Sequence, residues 1–379
     1  DFGTLRDYRL RVVKTMVGGL AGLLAHRGIT VFRANAAFHA DETAPATSDH
    51  IVHLVPSPDQ SDILTYHKAD VPEPSGPTMD LTAATGAKPR PLPGNPFAGA
   101  LIDSTQALEV NEFPSSAVII GAGAIALEFA SMWNAAGSKV TLLIRKDRVL
   151  SAWDRRAGTT LTRELKRHGV NIITRASVTH VDTGANLGAT VHYTREGQDG
   201  EQSVWGEIAL VAIGRDPITD PAWGVTIDDH GHVATDAYGR TDKPGVWAVG
   251  DVTAGHALAH RAFEQGIVIA ETIAGLNPKP VDEATVPQIV FSFPEAASVG
   301  LTVEQAQARE DLIEIKETNY PMLANARMLM SGTAGSLTIV SGCDAANPDT
   351  PRVLGVHMVS PMASDIIAEA EQLVGNHVP

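Results

Sequence analysis

Residues 117–128, Ala-Val-Ile-Ile-Gly-Ala-Gly-Ala-Ile-Ala-Leu-Glu, decide the fold of this chain. Four apolar residues run directly into Gly121-x-Gly123, Ala126 takes the third small position, and a helical pattern follows. This order predicts a strand, a tight turn and a helix N-terminus, the geometry that holds a dinucleotide pyrophosphate. Gly121 would permit the turn, Gly123 would let the backbone approach the phosphates, and Ala126 would let helix and strand pack closely. The alternative is an α/β turn that binds nothing.

The next predicted strand, Lys139–Ile144, indicates which nucleotide would be bound. In a fold of this kind that prefers NAD, an acidic residue usually ends the strand and accepts hydrogen bonds from the ribose 2′-OH. Here the strand ends in an isoleucine and is followed by Arg145, Lys146 and Arg148. Cations at this point suit a 2′-phosphate better than a bare hydroxyl. NADP is therefore favoured, while NAD and a merely solvated basic turn stay open.

The composition is that of a globular protein. With 379 residues, the chain has the length of about two or three domains, and 44% of its residues are hydrophobic. The formal net charge of −15 argues against a nucleic-acid groove or an anionic membrane surface as partner. No apolar run approaches the ~18–20 residues of a membrane span, and no signal-peptide pattern opens the chain, so the cytoplasm is the expected compartment.

The single cysteine, Cys343, excludes an internal disulfide and a Cys-based zinc cluster, and no metal site is predicted. It is expected in a loop between strand-like runs, as a spectator thiol without an adjacent His, Lys or second Cys. Both ends of the chain are expected to be cut, because Asp1 is not an initiator and residues 5–26 already have a helical pattern. A helical stretch, Asp365–Val374, stops five residues before the last residue. We expect a fragment, or the ordered part, of a longer protein.

Strands alternate with helices through the central part of the chain, which predicts a parallel, doubly wound sheet. Residues 129–136 are expected to complete the helix that follows the glycine turn, and a further helix is expected at 154–168. The further strands are expected at Val170–Ile173, Ala189–Thr194 and Ile208–Gly214. Short β-like runs precede this part, at Ile29–Phe32, Ala37–His39, His50–Val55 and Ile63–Tyr66. Beyond residue 280 a separate α+β domain is expected, from the runs Ile289–Phe293, Gly335–Val340 and Val353–Val359.

A second candidate site lies where an apolar strand ends in Gly250-Asp251. Its carboxylate would stand at the C-terminal edge of the strand, where it can bind sugar or ribityl hydroxyls, and the next helix would present backbone N–H groups. Gly-Asp turns are common, so the pattern alone is a moderate signal. Together with Thr85-Gly86, and with a nucleotide fold between the two, the signal becomes strong.

The motifs of this chain occur in a characteristic order. They are Ala84-Thr85-Gly86-Ala87-x-Pro89, Gly121-x-Gly123-x-x-Ala126-x-Glu128, Val211-x-x-Gly214-Arg215-x-Pro217, Thr241…Gly250-Asp251, Leu258-Ala259-His260, Val286-Pro287, Phe291-Ser-Phe-Pro294-Glu295-Ala-Ala-Ser298-Val299-Gly300 and Ala324-Asn325-Ala-Arg327. Over essentially all 379 residues this order resembles the pyridine nucleotide–disulfide oxidoreductases, flavoproteins that bind two nucleotides. Within that family the turn at 258–260 and the Gly355–Met358 run look most like dihydrolipoamide dehydrogenase, whereas the basic strand end looks like NADP-using glutathione reductase.

The resemblance implies an α/β fold with two Rossmann-like nucleotide-binding domains, of which the FAD domain is incomplete, and a C-terminal α+β dimerisation domain. The expected domains are 1–112 and 241–280 for FAD, 113–240 for NAD(P), and 281–379 for the interface of a homodimer. FAD would be held by Thr85, Gly86, Gly250, Asp251, Leu258, Ala259 and His260. NAD(P) would be held by Gly121, Gly123, Ala124, Ile125, Ala126, Glu128, Arg145, Lys146, Arg148 and Gly214. The two nucleotides would meet at a shared redox centre.

Several family features are not in this sequence. The first Gly-x-Gly-x-x-Gly for FAD and the Cys-x4-Cys redox pair would belong upstream of Asp1, and the C-terminal His-x4-Glu pair would lie beyond Pro379. The position at which many members have a tyrosine is Ala124 here. The stretch alone is therefore expected to be inactive in disulfide reduction.

The resemblance implies a functional role for two further side chains, each with a structural alternative. Glu128 matches a family acid beside the nicotinamide, although it could be an ordinary first-turn acid that the helix dipole favours. His260 could be a catalytic base, but its backbone is better suited to support the flavin while the ring is structural.

The leading hypothesis is FAD-dependent hydride transfer between NAD(P) and flavin, coupled to exchange with a small dithiol or disulfide of the dihydrolipoamide kind. An NADPH-dependent enzyme similar to glutathione or mercuric reductase is the first alternative. A non-catalytic nucleotide-binding dimer scaffold is the second.

Overall fold

The structure, a computed structural model, describes residues 2–32, 35–38, 52–55, 80–184 and 188–379, without the side chains of 35–38, 52–55 and 324. The chain forms two compact units, each built from two separate segments. The first unit is Asp1–Lys88 with Pro217–Val281, and the second is Pro89–Asp216 with Asp282–Pro379. Within the described ranges, no helix combines the length and the apolar character that crossing a membrane requires.

The described residues form eight helices and nineteen strands. The helices are α1 (Phe2–His26), α2 (Ser104–Leu108), α3 (Ala124–Ala135), α4 (Arg155–Arg167), α5 (Ala259–Ile273), α6 (Val303–Gln307), α7 (Ala326–Ser331) and α8 (Ala363–Gly375). The strands are β1 (Asn35–Phe38), β2 (Val52–Val55), β3 (Leu81–Ala83), β4 (Ala87–Pro89), β5 (Leu101–Ile102), β6 (Ser116–Ile120), β7 (Lys139–Leu143), β8 (Asn171–Ile173), β9 (Ala176–Asp182), β10 (Ala189–Arg195), β11 (Gln202–Gly206), β12 (Ile208–Val211), β13 (Arg215–Pro217), β14 (Val246–Ala248), β15 (Gln288–Val290), β16 (Glu295–Gly300), β17 (Leu312–Pro321), β18 (Ser336–Asp344) and β19 (Asn347–Ser360).

In the first unit, β3 and β14 pair in parallel, and β1 pairs with β2 in antiparallel fashion. The β-like run predicted at Ile29–Phe32 is wrong, because α1 ends at His26, Gly28 turns the chain with a φ of +71°, and residues 29–32 are exposed and outside any strand. The run Ile63–Tyr66 and the ends of the two other predicted runs lie outside the described residues.

The core of the second unit is a five-stranded parallel sheet in the order β5-β12-β6-β7-β8. Its strands are almost continuously apolar because both faces are covered. Buried residues of α3 and α4, among them Leu127, Trp133 and Leu161, cover one face. The other face packs against Val191 and Tyr193 of an antiparallel three-stranded meander, β9-β10-β11.

This meander changes two parts of the predicted architecture. The run Ala189–Thr194 is a strand, as predicted, but it belongs to the meander and not to the parallel sheet. The strand predicted at Ile208–Gly214 ends at Val211, since the chain turns before Gly214, whose φ is +135°. α4 begins where Asp154 accepts the Ala157 N–H at 2.8 Å, and the helical pattern predicted at 154–168 is confirmed.

The C-terminal part is a five-stranded antiparallel sheet in the order β15-β16-β19-β18-β17, with α8 packed on it. This agrees with the predicted α+β character, but the sequence reading missed β16 and β17. The expectation that Cys343 lies in a loop is wrong, because it is buried within β18 opposite Pro351. The sheet is joined to α4, where the buried Glu164 accepts the Ala334 N–H at 3.1 Å.

Candidate functional site

The glycine turn after β6 is held from two sides. Gly121 adopts a φ of +143°, and its N–H donates to the Leu143 carbonyl at 3.1 Å. A Cβ at this position would overlap the carbonyl of Ala212, which follows β12. It would also meet the Cβ of Ala126, a fully buried residue, at 3.4 Å. Only glycine fits here, as the sequence pattern predicts.

Gly123 has the opposite environment. It is exposed, adopts the extended conformation at the N-cap of α3, and a Cβ built on it would meet nothing within 4 Å. Within the described part of the chain, no side chain caps this helix. The first N–H groups of α3 therefore have no side-chain acceptor among the described residues, and they lie at the positive end of the helix dipole. Such an arrangement fits a pyrophosphate, which is the group that the motif implies.

The next turns of α3 hold a loop of the C-terminal sheet. Glu128 Oε1 accepts the Phe291 N–H at 3.1 Å, and Ser131 Oγ accepts the Phe293 N–H at 3.1 Å. Burial raises the pKa of Glu128 above its ordinary value, and the bond from Phe291 opposes part of that rise. The strand predicted through Phe293 ends at Val290 because α3 takes over these two N–H groups.

The residues predicted to bind the 2′ position of the ribose differ in their surroundings. The side chain of Ile144 is buried and points into the core, so the first side chains available after β7 belong to Arg145 and Lys146, which are exposed. Arg148 is half-buried, lies 3.2 Å from Asp147 Oδ1 and donates to the Ser151 carbonyl at 3.2 Å. Its Nε is buried without a hydrogen-bond partner in the described part of the chain.

Gly214 lies beyond the same edge of the parallel sheet, because it follows β12, the neighbour of β6. Its carbonyl accepts the Arg90 N–H at 3.0 Å. Arg90 in turn forms a 2.6 Å ion pair with Asp216. The structure thus brings together the Gly121 turn and the strand end before Gly214.

The residues predicted for FAD also converge, within the first unit. Because β3 and β14 are parallel neighbours, Thr85-Gly86 and Gly250-Asp251 leave the same edge of the strand pair. Thr85 Oγ1 donates to the Ile218 carbonyl at 2.6 Å, and the Ile218 N–H donates to Gly86 at 2.9 Å. An apolar cavity of about 260 Å³ adjoins this turn. Its lining includes Ala83, Ala84, Thr85, Trp223, Val246 and Trp247.

Glycine is favoured at position 250, because the backbone has a φ of +76° and a Cβ there would lie 3.3 Å from the Cβ of Ala262 in α5. Its N–H donates to Gln265 Oε1 at 2.9 Å. The next residue, Asp251, is half-buried and has no hydrogen-bond or ion-pair partner among the described residues. A half-buried carboxylate without a partner fits a ligand whose hydroxyl groups donate hydrogen bonds to it, such as a ribityl chain or a ribose.

Leu258, Ala259 and His260 form the N-cap and first turn of α5, where no side chain of the described residues caps the helix. Sequence reasoning missed Arg261, which is buried one residue further on and contacts Thr253 and Gln265 at 3.4 Å. It ties α5 to the Gly250 turn. No sequence pattern marks a buried arginine within a helix. The only feature that could have indicated Arg261 is its position directly after Leu258-Ala259-His260.

Comparison with known proteins defines the class. Residues 5–266 match the family described as pyridine nucleotide-disulphide oxidoreductase, and residues 286–378 match the dimerisation domain of that family. The chain belongs to the pyridine nucleotide-disulphide oxidoreductases. It is accordingly an oxidoreductase of a flavin-dependent family whose cofactors are FAD and a nicotinamide nucleotide.

The individual relatives are dihydrolipoyl dehydrogenases. The chain is 32% identical to that of Geobacillus stearothermophilus over 97% of its own length and 73% of the relative. It is 38% identical to that of Cupriavidus necator over 76% of its own length and 60% of the relative. Among solved structures, LpdA from Mycobacterium tuberculosis superposes with a TM-score of 0.83 at 25% identity, covering 100% of this chain and 78% of that one. The flavoprotein disulfide reductase RclA from Escherichia coli shares the fold, with a TM-score of 0.78 at 24% identity over 100% of this chain and 80% of its own.

Proposed function

We propose that this chain is the nucleotide-binding and dimer-forming part of a dihydrolipoyl dehydrogenase-like enzyme, which moves a hydride between NAD(P) and FAD. The proposal rests on two strand-end turns, each in its own unit. One lies at Gly121 before a helix N-terminus without a side-chain cap among the described residues. The other lies at Gly250, beside an Asp251 that no described residue partners. The α3 N-terminus would bind the pyrophosphate of the nicotinamide nucleotide. Asp251 would accept hydrogen bonds from hydroxyl groups of FAD. When bound, the flavin supplies the two-electron redox chemistry.

Within this scheme Glu128 is the nicotinamide-side acid. The carboxylate accepts a hydrogen bond from the Phe291 N–H. Its position relative to the glycine turn is therefore fixed both by α3, which carries Glu128, and by the loop that carries Phe291. Burial raises the pKa of Glu128, so the protonated form is more favoured than in an exposed glutamate. His260 would support the flavin through the backbone of the α5 N-terminus.

The dithiol–disulfide half of the reaction needs a cysteine pair, which these residues do not contain. Cys343, the one cysteine of the sequence, is 2% exposed within β18 and suits packing rather than exchange. We assign the substrate class, a small dithiol of the dihydrolipoamide kind, on the similarity to the dihydrolipoyl dehydrogenases. We propose the cytoplasm as the compartment, because a single cysteine leaves no internal disulfide for an oxidising environment to form.

The preferred nucleotide is NADPH, because Arg145 and Lys146 are exposed after β7 and the strand tip itself carries Ile144 instead of an acidic residue. The same observation favours a second candidate function, a disulfide reductase of the glutathione- or mercuric-reductase kind that consumes NADPH.

A homodimer is the proposed assembly. The residues that match the dimerisation domain expose several large apolar side chains, a pattern typical of an interface. They are Tyr320, Leu323, Leu329, Met330, Met362 and Ile366. Light scattering should give twice the 40.0 kDa of one chain, and a monomer at micromolar concentration would contradict the assignment.

The central test is spectroscopic. The chain, mixed with FAD and freed of excess cofactor, should retain a flavin spectrum, and NADPH or NADH should bleach it under anaerobic conditions. Retention without bleaching would support a nucleotide-binding scaffold instead. Failure to retain FAD at all would show that the Gly250 turn does not hold the flavin without the Gly-x-Gly-x-x-Gly motif, which is not in this sequence. Because disulfide turnover needs a cysteine pair that these residues do not contain, the two enzyme classes are separated by comparing the affinities for NADPH and NADH.

A further inference from the structure

We propose that the solvent-facing side of the meander β9–β11 carries a binding site for a divalent transition-metal cation, formed by His180, Asp182 and His192 with Glu201 beside them. None of these residues belongs to either nucleotide site described above. The proposal therefore stands or falls independently of the proposed function.

The sheet register places the first three side chains together. His180 and Asp182 are two residues apart on β9, so their side chains point to the same face of the strand. His192 of β10 lies directly opposite His180 in the antiparallel register. The imidazole rings are stacked, with centroids 4.1 Å apart and planes at 8°. One ligand atom of each of the three residues lies within 4.8 Å of those of the other two.

A β-bulge gives the cluster its orientation. The pair His192–His180 is followed by Tyr193–Val178, so Thr179 is an extra residue without an opposite partner. Because of this extra residue, Val178 and Val181 both pack against the core, while His180 and Asp182 both stay on the exposed face. The bulged residue also has a direct role, since Thr179 Oγ1 donates to Glu201 Oε1 at 2.6 Å and fixes that carboxylate beside the rings.

The two carboxylates lie at opposite edges of the stacked rings. Asp182 Oδ2 is 3.1 Å from His192 Nε2 and 3.8 Å from His180 Nε2. Glu201 oxygens are 3.6 Å from His192 Nδ1 and 3.8 Å from His180 Nδ1. A neutral imidazole carries one N–H, so each ring can donate to only one of the two carboxylates and turns a lone pair towards the other. A cation at one edge would remove this repulsion.

The donor set selects the kind of cation. Two imidazole nitrogens with one or two carboxylate oxygens suit Zn²⁺, Cu²⁺ or Ni²⁺, whereas Mg²⁺ and Ca²⁺ prefer oxygen ligands alone. Binding at the Asp182 edge requires the two Nε2 atoms to converge, because parallel rings direct their lone pairs side by side. His180 can make this adjustment, since its side chain is 47% exposed, whereas that of His192 is 23% exposed. Water would complete the coordination.

The consequence of occupancy is a cross-link on the outer face of the meander. The metal would tie β9 to β10, and through Thr179 and Glu201 it would also engage the segment that leads into β11. Because only the folded register brings the two histidines together, a bound cation should raise the temperature at which this unit unfolds.

The test uses the full 379-residue chain without a histidine tag, treated with a chelator and titrated with CuSO₄ and, separately, ZnSO₄. We expect one equivalent of Cu²⁺ to bind with an electron paramagnetic resonance spectrum that shows two nitrogen ligands. In H180A the signal should change to one nitrogen ligand. In the double variant H180A/H192A the affinity should fall at least about tenfold for both metals, which corresponds to about 1.4 kcal/mol.

The matched control is H230A, which removes an exposed histidine outside the cluster and should leave both affinities unchanged. Asp182→Asn keeps the size of the side chain and should weaken Zn²⁺ binding while the metal-free melting temperature stays close to that of the wild type. Equal affinity of the wild type and H180A for both metals would overturn the proposal. So would a wild-type Cu²⁺ spectrum without two nitrogen ligands. If the double variant does not fold, H180A alone decides the outcome.

Discussion

Glu128 accepts a hydrogen bond from the backbone N–H of Phe291 at 3.1 Å, although the two residues are 163 positions apart in the chain. One carboxylate therefore belongs both to the helix that starts at the glycine turn and to a loop of the C-terminal sheet. Burial disfavours its charged form and raises its pKa, while the Phe291 N–H opposes only part of that effect.

This pKa makes a prediction for Glu128→Gln. Since the folded-state pKa lies above the ordinary 4.5, the contribution of Glu128 to stability is fully present below that pH and is lost as the pH rises through the folded-state value. Glutamine does not titrate. The melting temperature of E128Q relative to the wild type should therefore increase between pH 4.5 and neutral pH, as measured by calorimetry at several pH values. A difference that is constant with pH, or that decreases, would contradict the burial of this carboxylate.

Two glycines of one turn should respond in opposite ways to the same substitution. Gly121→Ala forces a side chain into the Ala212 carbonyl at a φ of +143°, so we expect a loss of about 1–3 kcal/mol from strain alone. Gly123→Ala meets open space and should melt within a few degrees of the wild type. Its added methyl group would occupy the phosphate position and weaken NAD(P)H binding, measured by nucleotide fluorescence. Unchanged binding by a folded G123A would show that the pyrophosphate lies elsewhere.

The basic turn after β7 should decide between the nucleotides. Replacing Arg145 and Lys146 with alanine should weaken NADPH binding by about 1.5–3 kcal/mol for each charged hydrogen bond lost and NADH binding little. Both side chains are exposed, so the melting temperature should not change. Arg148→Ala is the comparison, because it also removes the contacts to Asp147 and Ser151 and should lower the melting temperature. Equal losses for NADPH and NADH would refute the assignment to the 2′-phosphate.

Asp251 should be needed for flavin retention but not for folding. Since no described residue partners its carboxylate, Asp251→Ala should leave the melting temperature of the flavin-free protein unchanged and lower the ratio of flavin to protein absorbance after gel filtration. Asp242→Asn provides the contrast, because Asp242 accepts hydrogen bonds from Thr226 Oγ1 at 2.6 Å and from the Thr226 N–H at 3.1 Å. That variant should lose stability and keep its flavin. If Asp251→Ala lost stability and kept its flavin, while Asp242→Asn lost its flavin and stayed stable, the assignment of Asp251 to the FAD site would be contradicted.

The glycine turns at residues 121 and 250 could be predicted because the reasons for their geometry are local. Gly121, Ala126 and Gly250 each need a small side chain for a reason that lies within a strand, a turn and a helix, and such reasons leave a fixed spacing in the sequence. The parallel sheet was predictable for a similar cause, since strands covered on both faces become continuously apolar.

Features that depend on distant partners could not be predicted in this way. β9 and β11 alternate polar and apolar residues only weakly, and nothing near Ala189 indicates that its strand pairs with them instead of joining the parallel sheet. The Phe291 loop is set by Glu128 and Ser131, far away in sequence. The histidine cluster depends on a one-residue bulge at Thr179, and no residue pattern specifies that bulge.

The hydrogen bonds that α3 makes to the Phe291 loop have a consequence for engineering cofactor preference. A redesign that tilts α3 to move the bound pyrophosphate would also move Glu128 and Ser131. It would thereby displace two largely exposed aromatic rings at residues 291 and 293. A redesign confined to residues 145 and 146 leaves these two hydrogen bonds unchanged. The second route offers a change of coenzyme without remodelling the neighbouring sheet.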